Sequence, residues 1–179
     1  AQAEAANGAG RRLKRLLDLW CSLWFWPLAE ADRLPDRAAW LSDVDTVLSG
    51  RPPVEGTPSA ERLRVANEVA EQHRFIHWEW AFPEVFARGG FDVVVGNPPW
   101  LKLQWNEGGV LADLDPRMVI RRLSAKQTAD LRAQTLVGDE ELAMYLAEYQ
   151  ELTGQKAFLN GLGNYALLRG VQTNLYKAF

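Results

Sequence analysis

An asparagine, two prolines and a tryptophan follow one another as Asn97, Pro98, Pro99 and Trp100. The side-chain oxygen of Asn97 and the carbonyl of Pro98 are both acceptors, so together they can hold the two hydrogens of one amino group. The indole of Trp100 offers a flat face, and stacking on such a face contributes about 1–3 kcal/mol per base. We therefore predict a pocket for an aminated heterocycle turned out of its duplex. In the alternative interpretation, the prolines make a structural turn and Trp100 belongs to the core.

The residues in front of this tetrapeptide have the pattern of a buried strand. Val93, Val94 and Val95 are consecutive and β-branched, which is typical of a strand covered on both faces, as in a parallel sheet. Gly96 relaxes the backbone, and the prolines that follow prevent the strand from continuing. Because ligands of open α/β sheets bind at the carboxyl ends of strands, the tetrapeptide lies where a site is expected.

Composition narrows the class of protein. The chain has 179 residues, 47% of them hydrophobic, which is enough for one domain with a core. Its net charge of −3 gives no support for a stand-alone nucleic-acid binder, since such proteins usually carry a basic patch. The single cysteine, Cys21, excludes an internal disulfide framework and a cysteine-rich zinc site.

His73 and His77 have the spacing of a helical metal pair, but no third ligand lies near them, and we predict no metal site.

No signal peptide and no apolar run long enough to span a bilayer occurs in the sequence. We therefore expect a cytoplasmic protein without a membrane partner.

Apolar periodicity and capping residues predict three helices before the strand. The first begins at Arg11, the second covers residues 36–48 with Asp36 as its cap, and the third covers residues 57–74 with Pro58 in its first turn. The alternating residues 75–80 indicate a short strand. The apolar faces of the three helices are predicted to be Leu13, Leu16, Leu17, Trp20 and Trp24; Trp40, Leu41, Val44 and Leu48; and Leu63, Val65, Ala66, Val69 and Ala70.

More helices are predicted after the tetrapeptide. Gly108 and Gly109 indicate a flexible stretch, and one helix is expected over residues 115–136 with Pro116 in its first turn. A second helix follows Gly138, residues 154–163 are expected to be looser, and a last helix is expected over residues 164–179.

The run from Phe91 to Trp100 resembles the catalytic motif of the amino-group DNA methyltransferases, in the N6-adenine class. The longer run of residues 75–100 is similar to the large adenine methyltransferases of bacterial restriction–modification and phage-defence systems. More weakly, residues 173–179 resemble the opening of the helix that follows the catalytic strand in that group. The resemblance covers about half of the chain, and its central motif is the sharp part.

The resemblance implies an α/β fold, here a predominantly helical fragment of a class I (Rossmann-like) S-adenosylmethionine-dependent methyltransferase domain with few strands. Residues 1–179 are then one partial domain. It divides into a helical N-terminal part at 11–74, a catalytic strand and loop at 75–105, and a helical insertion with the start of the following helix at 106–179. Because the chain has no Phe-x-Gly-x-Gly turn, we expect a central fragment. Its S-adenosylmethionine site would lie mostly elsewhere, and no cofactor-binding residue is assigned within it.

The resemblance also implies the chemistry. Asn97 and the Pro98 carbonyl accept hydrogen bonds from the amino group of a flipped adenine, Trp100 stacks on the ring, and the methyl group is transferred in line. The catalytic set is Asn97, Pro98, Pro99 and Trp100. The full-length parent is expected to bind double-stranded DNA. The isolated fragment is expected to be inactive and to self-associate through exposed apolar surface.

Two alternatives stay open at this stage. One is a helical protein-interaction module in which the tetrapeptide is a structural turn. The other is an RNA or protein N-methyltransferase, because related tetrapeptides also act on RNA bases and glutamine amides.

Overall fold

The computed structural model describes residues 8–97, 102–121, 123–161 and 163–165, with the backbone alone for Met118 and Val119. The chain forms two compact units that divide after Asn97. The residues up to Asn97 are called the first unit, and the residues after it the second unit.

Three long helices build the first unit, and their starts follow from local chemistry. Helix α1 covers Ala9–Ser22, α2 covers Arg37–Ser49 and α3 covers Pro58–His73. The Asp36 carboxylate accepts from the Ala39 amide, and the Thr57 hydroxyl accepts from the Ala60 amide, so both predicted helix starts are confirmed. A 3₁₀ helix at Leu28–Arg33 joins α1 to α2.

Helix α3 supplies much of the core of this unit. Its five predicted core residues are all buried, with Val65 only 1% exposed. Helix α1 packs on α2 and α3, and α2 packs on α3. Complete burial of a valine or leucine side chain stabilises a fold by about 1.5–3 kcal/mol, so this face holds the helices together. The buried α3 residues are Leu63, Val65, Ala66, Val69 and Ala70.

The predicted apolar faces of α1 and α2 are wrong in part. On α1 the buried residues are Asp18, Leu19 and Ser22, while Leu13 and Trp20 are exposed. On α2 the buried residues are Asp43 and Val47, and the predicted Leu41 and Leu48 are about half exposed. On each of these helices a buried carboxylate has a polar partner on another element, Arg62 for Asp43 and His77 for Asp18, so the buried face includes polar residues that an apolar pattern does not mark.

The buried carboxylate of α2 forms an ion pair with α3. Asp43 is fully buried and accepts from Arg62 through Nε at 2.6 Å and Nη2 at 2.8 Å. The Ser59 hydroxyl donates to the same carboxylate at 2.6 Å. Such a bidentate pair fixes both distance and orientation, so it sets the register of α2 against α3.

The short strand predicted over residues 75–80 is wrong, because α4 covers Trp78–Ala81. The amides of Trp80 and Ala81 both donate to the His77 carbonyl, which closes a helical turn. Helix α5 follows at Pro83–Phe86. A run of alternating aromatic residues this short does not distinguish a strand from one turn of helix.

The second unit is also helical. It contains α6 at Glu107–Leu114, α7 at Arg117–Ile120, α8 at Ala125–Thr135 and α9 at Asp139–Asn160. The carboxylate of Glu107 accepts from Arg132 Nη1 at 2.7 Å and from the Tyr145 hydroxyl at 2.8 Å, which ties α6 to α8 and α9. Although burial acts to raise the pKa of Glu107, these hydrogen bonds outweigh it and hold the pKa below its usual range.

Several predictions for this unit need correction. Gly108 and Gly109 lie in the first turn of α6, where the Asn106 side chain caps the Gly109 amide. The helix expected over 115–136 is interrupted, because Ser124 and Gln127 form a capping box that starts α8 anew. Helix α9 continues to Asn160, so residues 154–160 of the stretch expected to be looser are helical. Most of the last predicted helix lies outside the described residues.

No strand forms among the described residues, where Lys102 makes a single bridge. Val93, Val94 and Val95 are 74%, 73% and 91% exposed, so the prediction of a strand buried on both faces is wrong for the chain as described. A parallel strand is held by hydrogen bonds to its neighbours, and none of the described segments supplies them. The described part of the chain is therefore mainly helical.

None of the described helices combines the length with the apolar character needed to cross a bilayer.

Candidate active site

A glycine turn directs the segment that ends at Asn97. Gly89 and Gly90 have φ angles of 104° and 109°, a region that side chains rarely adopt. The Gly90 amide donates to the Val85 carbonyl at 3.1 Å, which folds the chain back over α5. The Gly89-Gly90 turn therefore directs the next residue, Phe91, towards α4 and α5.

Three rings then hold Phe91, and the four rings together form the aromatic cluster (Trp78, Phe82, Phe86 and Phe91). The Phe91 ring lies edge-on to Trp78 at 5.9 Å, to Phe82 at 5.4 Å and to Phe86 at 5.8 Å between ring centroids. Edge-to-face pairs each contribute about 0.5–1.5 kcal/mol beyond their buried area. The cluster thus anchors the first residue of the segment on α4 and α5.

The residues beyond Phe91 extend away from this anchor. Asn97 is exposed at the end of the segment, and its side chain makes no hydrogen bond to the described residues. In the part of the chain that the structure describes, no atom beyond the two chain neighbours lies within 4 Å of the position that a Cβ would take at Gly96, so the space there is open. An exposed primary amide offers one acceptor oxygen and two donors to a ligand.

The other predicted catalytic residues, Pro98, Pro99 and Trp100, lie outside the described residues. The grouping of the Asn97 amide with the Trp100 ring therefore stays a prediction. Glu79 and Glu84 are exposed on α4 and α5.

A buried polar group near α4 was not predicted from the sequence. Asp18 of α1 is 7% exposed, and its carboxylate lies 2.8 Å from His77 Nε2 and 2.6 Å from Lys14 Nζ. Burial, and then the charge of Asp18, raise the pKa of the neighbouring Cys21 thiol to about 11. The available signal was the i, i+4 spacing of Lys14 and Asp18, which predicts a pair but not its burial.

The two histidines that were weighed as a metal pair have different partners. His73 stacks on Phe75 at 5.5 Å and lies 4.4 Å from the Phe25 ring, while His77 contacts Asp18. In the described part of the chain, no three His, Cys, Asp or Glu side chains are grouped as a metal would require.

A surface groove of about 350 Å³ lies within the second unit. It is lined by Trp105, whose ring is edge-on to Tyr145 and Tyr149, and by the acidic Asp113 and Glu148. The acidic side chains make this groove a poor phosphate site, and we assign no cofactor residue to it.

Comparison with known proteins places the chain in a family. The family model described as Eco57I restriction-modification methylase matches residues 17–129, a span that includes Asn97 and Trp100. Searches of curated proteins and of solved structures found no match. Because the family model covers more than half of the chain, the protein belongs to the Eco57I restriction-modification methylase family.

Proposed function

We propose that this protein acts as a site-specific DNA methyltransferase that transfers a methyl group from S-adenosylmethionine to the N6 amino group of a flipped adenine. Restriction–modification or phage defence is the setting we propose for it. The methylase family supports the reaction class. The Asn-Pro-Pro-Trp tetrapeptide supports the choice of an amino group as the acceptor.

One observation carries the proposal: an exposed Asn97 stands at the end of a segment that the aromatic cluster anchors. In the proposed reaction, the Asn97 side-chain oxygen and the Pro98 carbonyl accept the two amino hydrogens. These bonds keep the nitrogen lone pair from delocalising into the ring. Pro99 fixes the backbone that follows, and Trp100 stacks on the purine to offset the few kcal/mol that base extrusion costs.

When bound, S-adenosylmethionine supplies a methyl group on a positively charged sulfur. The amino nitrogen held by Asn97 and Pro98 would accept this methyl group as the sulfur leaves with its bonding electron pair, and the nitrogen would then lose its extra proton to solvent. We propose that most of the cofactor site lies outside these 179 residues, because they contain no Phe-x-Gly-x-Gly turn. The isolated 179-residue chain should then transfer no methyl group to DNA.

The proposal is tested with Asn97→Ala in the full-length protein. We expect methyl transfer to fall by roughly 100-fold or more, the scale seen when one positioned polar group is removed from an active site. Asn67→Ala is the matched control, because Asn67 is exposed on the surface of α3. Equal activity of wild type and Asn97→Ala would remove the catalytic assignment.

A second candidate function is protein interaction, which the exposed aromatic residues favour. Trp78 is 50% exposed and Trp80 is 38% exposed, although Trp26 is buried. If this function is correct, Asn97→Ala leaves the binding of a partner chain unchanged, whereas Trp80→Ala weakens that binding. The remaining alternative is an RNA or protein N-methyltransferase. Methyl transfer measured on DNA, RNA and protein substrates distinguishes it from a DNA methyltransferase.

A further inference from the structure

We propose that the buried Asp18–His77 pair is a positioning element for the segment that carries Asn97. The proposal rests on the proposed function and adds two residues to its machinery. Asp18 and His77 touch no substrate in this view. They act by fixing α4, on which the aromatic cluster is built.

The pair is well formed and shielded from water. The side chains of His77 and Asp18 are 8% and 10% exposed, and His77 Nε2 lies 2.8 Å from Asp18 Oδ1. Because an ionised carboxylate only accepts hydrogen bonds, the Nε2–H of His77 donates to Asp18. The second carboxylate oxygen accepts from Lys14, so both oxygens of the buried group are used.

The pair joins α1 to the first turn of α4. His77 directly precedes Trp78, and its carbonyl accepts from the Trp80 and Ala81 amides. The Lys14 ammonium, already held by Asp18, lies 5.8 Å from the centre of the Trp80 ring. Asp18 therefore docks α4 on α1 directly through His77, and it holds Lys14 of α1 near the Trp80 ring of α4.

The aromatic cluster connects α4 to the segment that ends at Asn97. Trp78 is the residue after His77, and its ring contacts both Phe82 and Phe91. Phe91 is the first residue of the segment that ends at Asn97. The residues between them are exposed, so the anchoring of Phe91 decides where the segment begins. If α4 were loosened, Phe91 and the start of the segment would move with it. Even a small misplacement of Asn97 would then lower the rate of methyl transfer.

The test compares two variants of His77 in the full-length protein. Glutamine can place its Nε2 amide where the imidazole Nε2 donates, whereas phenylalanine fills the space without a donor. Asp43→Ala is the control, because it also removes a buried carboxylate but one that joins α2 to α3. All variants are measured at a temperature at which circular dichroism shows them folded.

The first readout is amide hydrogen exchange. In His77→Phe we expect exchange at Trp80, Ala81, Phe82 and Gly90 to become about 10-fold faster, with the amides of α3 unchanged. His77→Gln should restore the wild-type rates to within about threefold. Uniform acceleration across α3 and α4, or no change in His77→Phe, overturns the proposal.

The second readout is methyl transfer to DNA. We expect kcat to fall by about 10- to 100-fold in His77→Phe, with KM for DNA nearly unchanged and with recovery in His77→Gln. Asp43→Ala should keep the wild-type kcat. Local loosening of α4 without any change in kcat overturns the positioning role. If wild type itself transfers no methyl group while α4 loosens as expected, the proposed function fails but the docking of α4 by this pair stands.

Discussion

Two sets of valines in the first unit have opposite environments. In α3, Val65 and Val69 are 1% and 2% exposed. In the segment before Asn97, three consecutive valines are between 73% and 91% exposed. Helical periodicity predicted burial of the first set and a continuous apolar run predicted burial of the second, and only the first prediction is confirmed.

The difference follows from where each element finds its hydrogen bonds. A helix satisfies its own backbone, so α3 needs only one apolar face and a neighbour to pack on. A buried parallel strand needs neighbouring strands for its backbone and covering layers for both faces. The backbone hydrogen-bond partners of the residues in α3 lie within the same helix, a few residues away in the sequence. Those that would pair with the valine segment are absent from the described residues.

The largest expected effect concerns the buried ion pair between Asp43 of α2 and Arg62 of α3. Asp43→Ala should lower the free energy of unfolding by about 3 kcal/mol, because Arg62 is left with a largely buried and unpaired charge. Urea denaturation followed by circular dichroism measures this loss. Asp45→Ala, at an exposed position of the same helix, should change it by less than about 0.5 kcal/mol. Similar losses in both variants would contradict the burial described for Asp43.

A matched pair of substitutions tests the valine comparison directly. Val65→Ala removes buried methyl groups and leaves a cavity, so it should cost about 2 kcal/mol of unfolding free energy. Val94→Ala, at a position 73% exposed, should cost less than about 0.5 kcal/mol in the 179-residue chain. The same urea experiment measures both, and an equal cost would break the comparison.

A pH-dependent effect is expected in the second unit. The pKa of Glu107 is lowered in the folded chain, so its stabilising bonds are complete above the ordinary value of 4.5 and are lost as pH falls through the lowered value. Glu107→Gln should therefore be less stable than wild type at pH 7, and the difference should shrink below pH 4.5. Thermal unfolding across this pH range measures it. A difference that grows on acidification would have the wrong sign.

The smallest effect concerns self-association, which we propose occurs through the exposed valine segment of the 179-residue chain. Val94→Lys should reduce the concentration-dependent rise in mass seen by sedimentation. Val54→Lys is the control, because Val54 is exposed to the same 73% but lies in a loop of the first unit. Equal effects of the two lysines would show that charge, and not this segment, controls association.

The parts of the fold that were predictable are those with local causes. The caps at Asp36 and Thr57 and the buried face of α3 follow from spacing along one helix. The buried faces of α1 and α2 were not predictable, because they depend on polar partners that are distant in sequence, as Arg62 is from Asp43. In the candidate site, Asn97 is exposed, but the buried strand predicted to carry it does not form among the described residues.

The aromatic cluster and the Asp18–His77 pair were not predicted. Phe91 meets Trp78 only after the Gly89-Gly90 turn reverses the chain. His77 lies 59 residues after Asp18 in the sequence, so no local spacing indicated that the two side chains form a pair. Contacts of this kind depend on the packing of α4, which the alternating pattern of residues 75–80 did not indicate.

Identification of the modified nucleoside tests the central claim most directly. DNA without adenine methylation is incubated with the full-length protein and a methyl-labelled donor, digested to nucleosides and separated by mass. We predict label on N6-methyladenine in wild type and its loss in Asn97→Ala. Label on a cytosine, or label on adenine that persists in Asn97→Ala, would contradict the account.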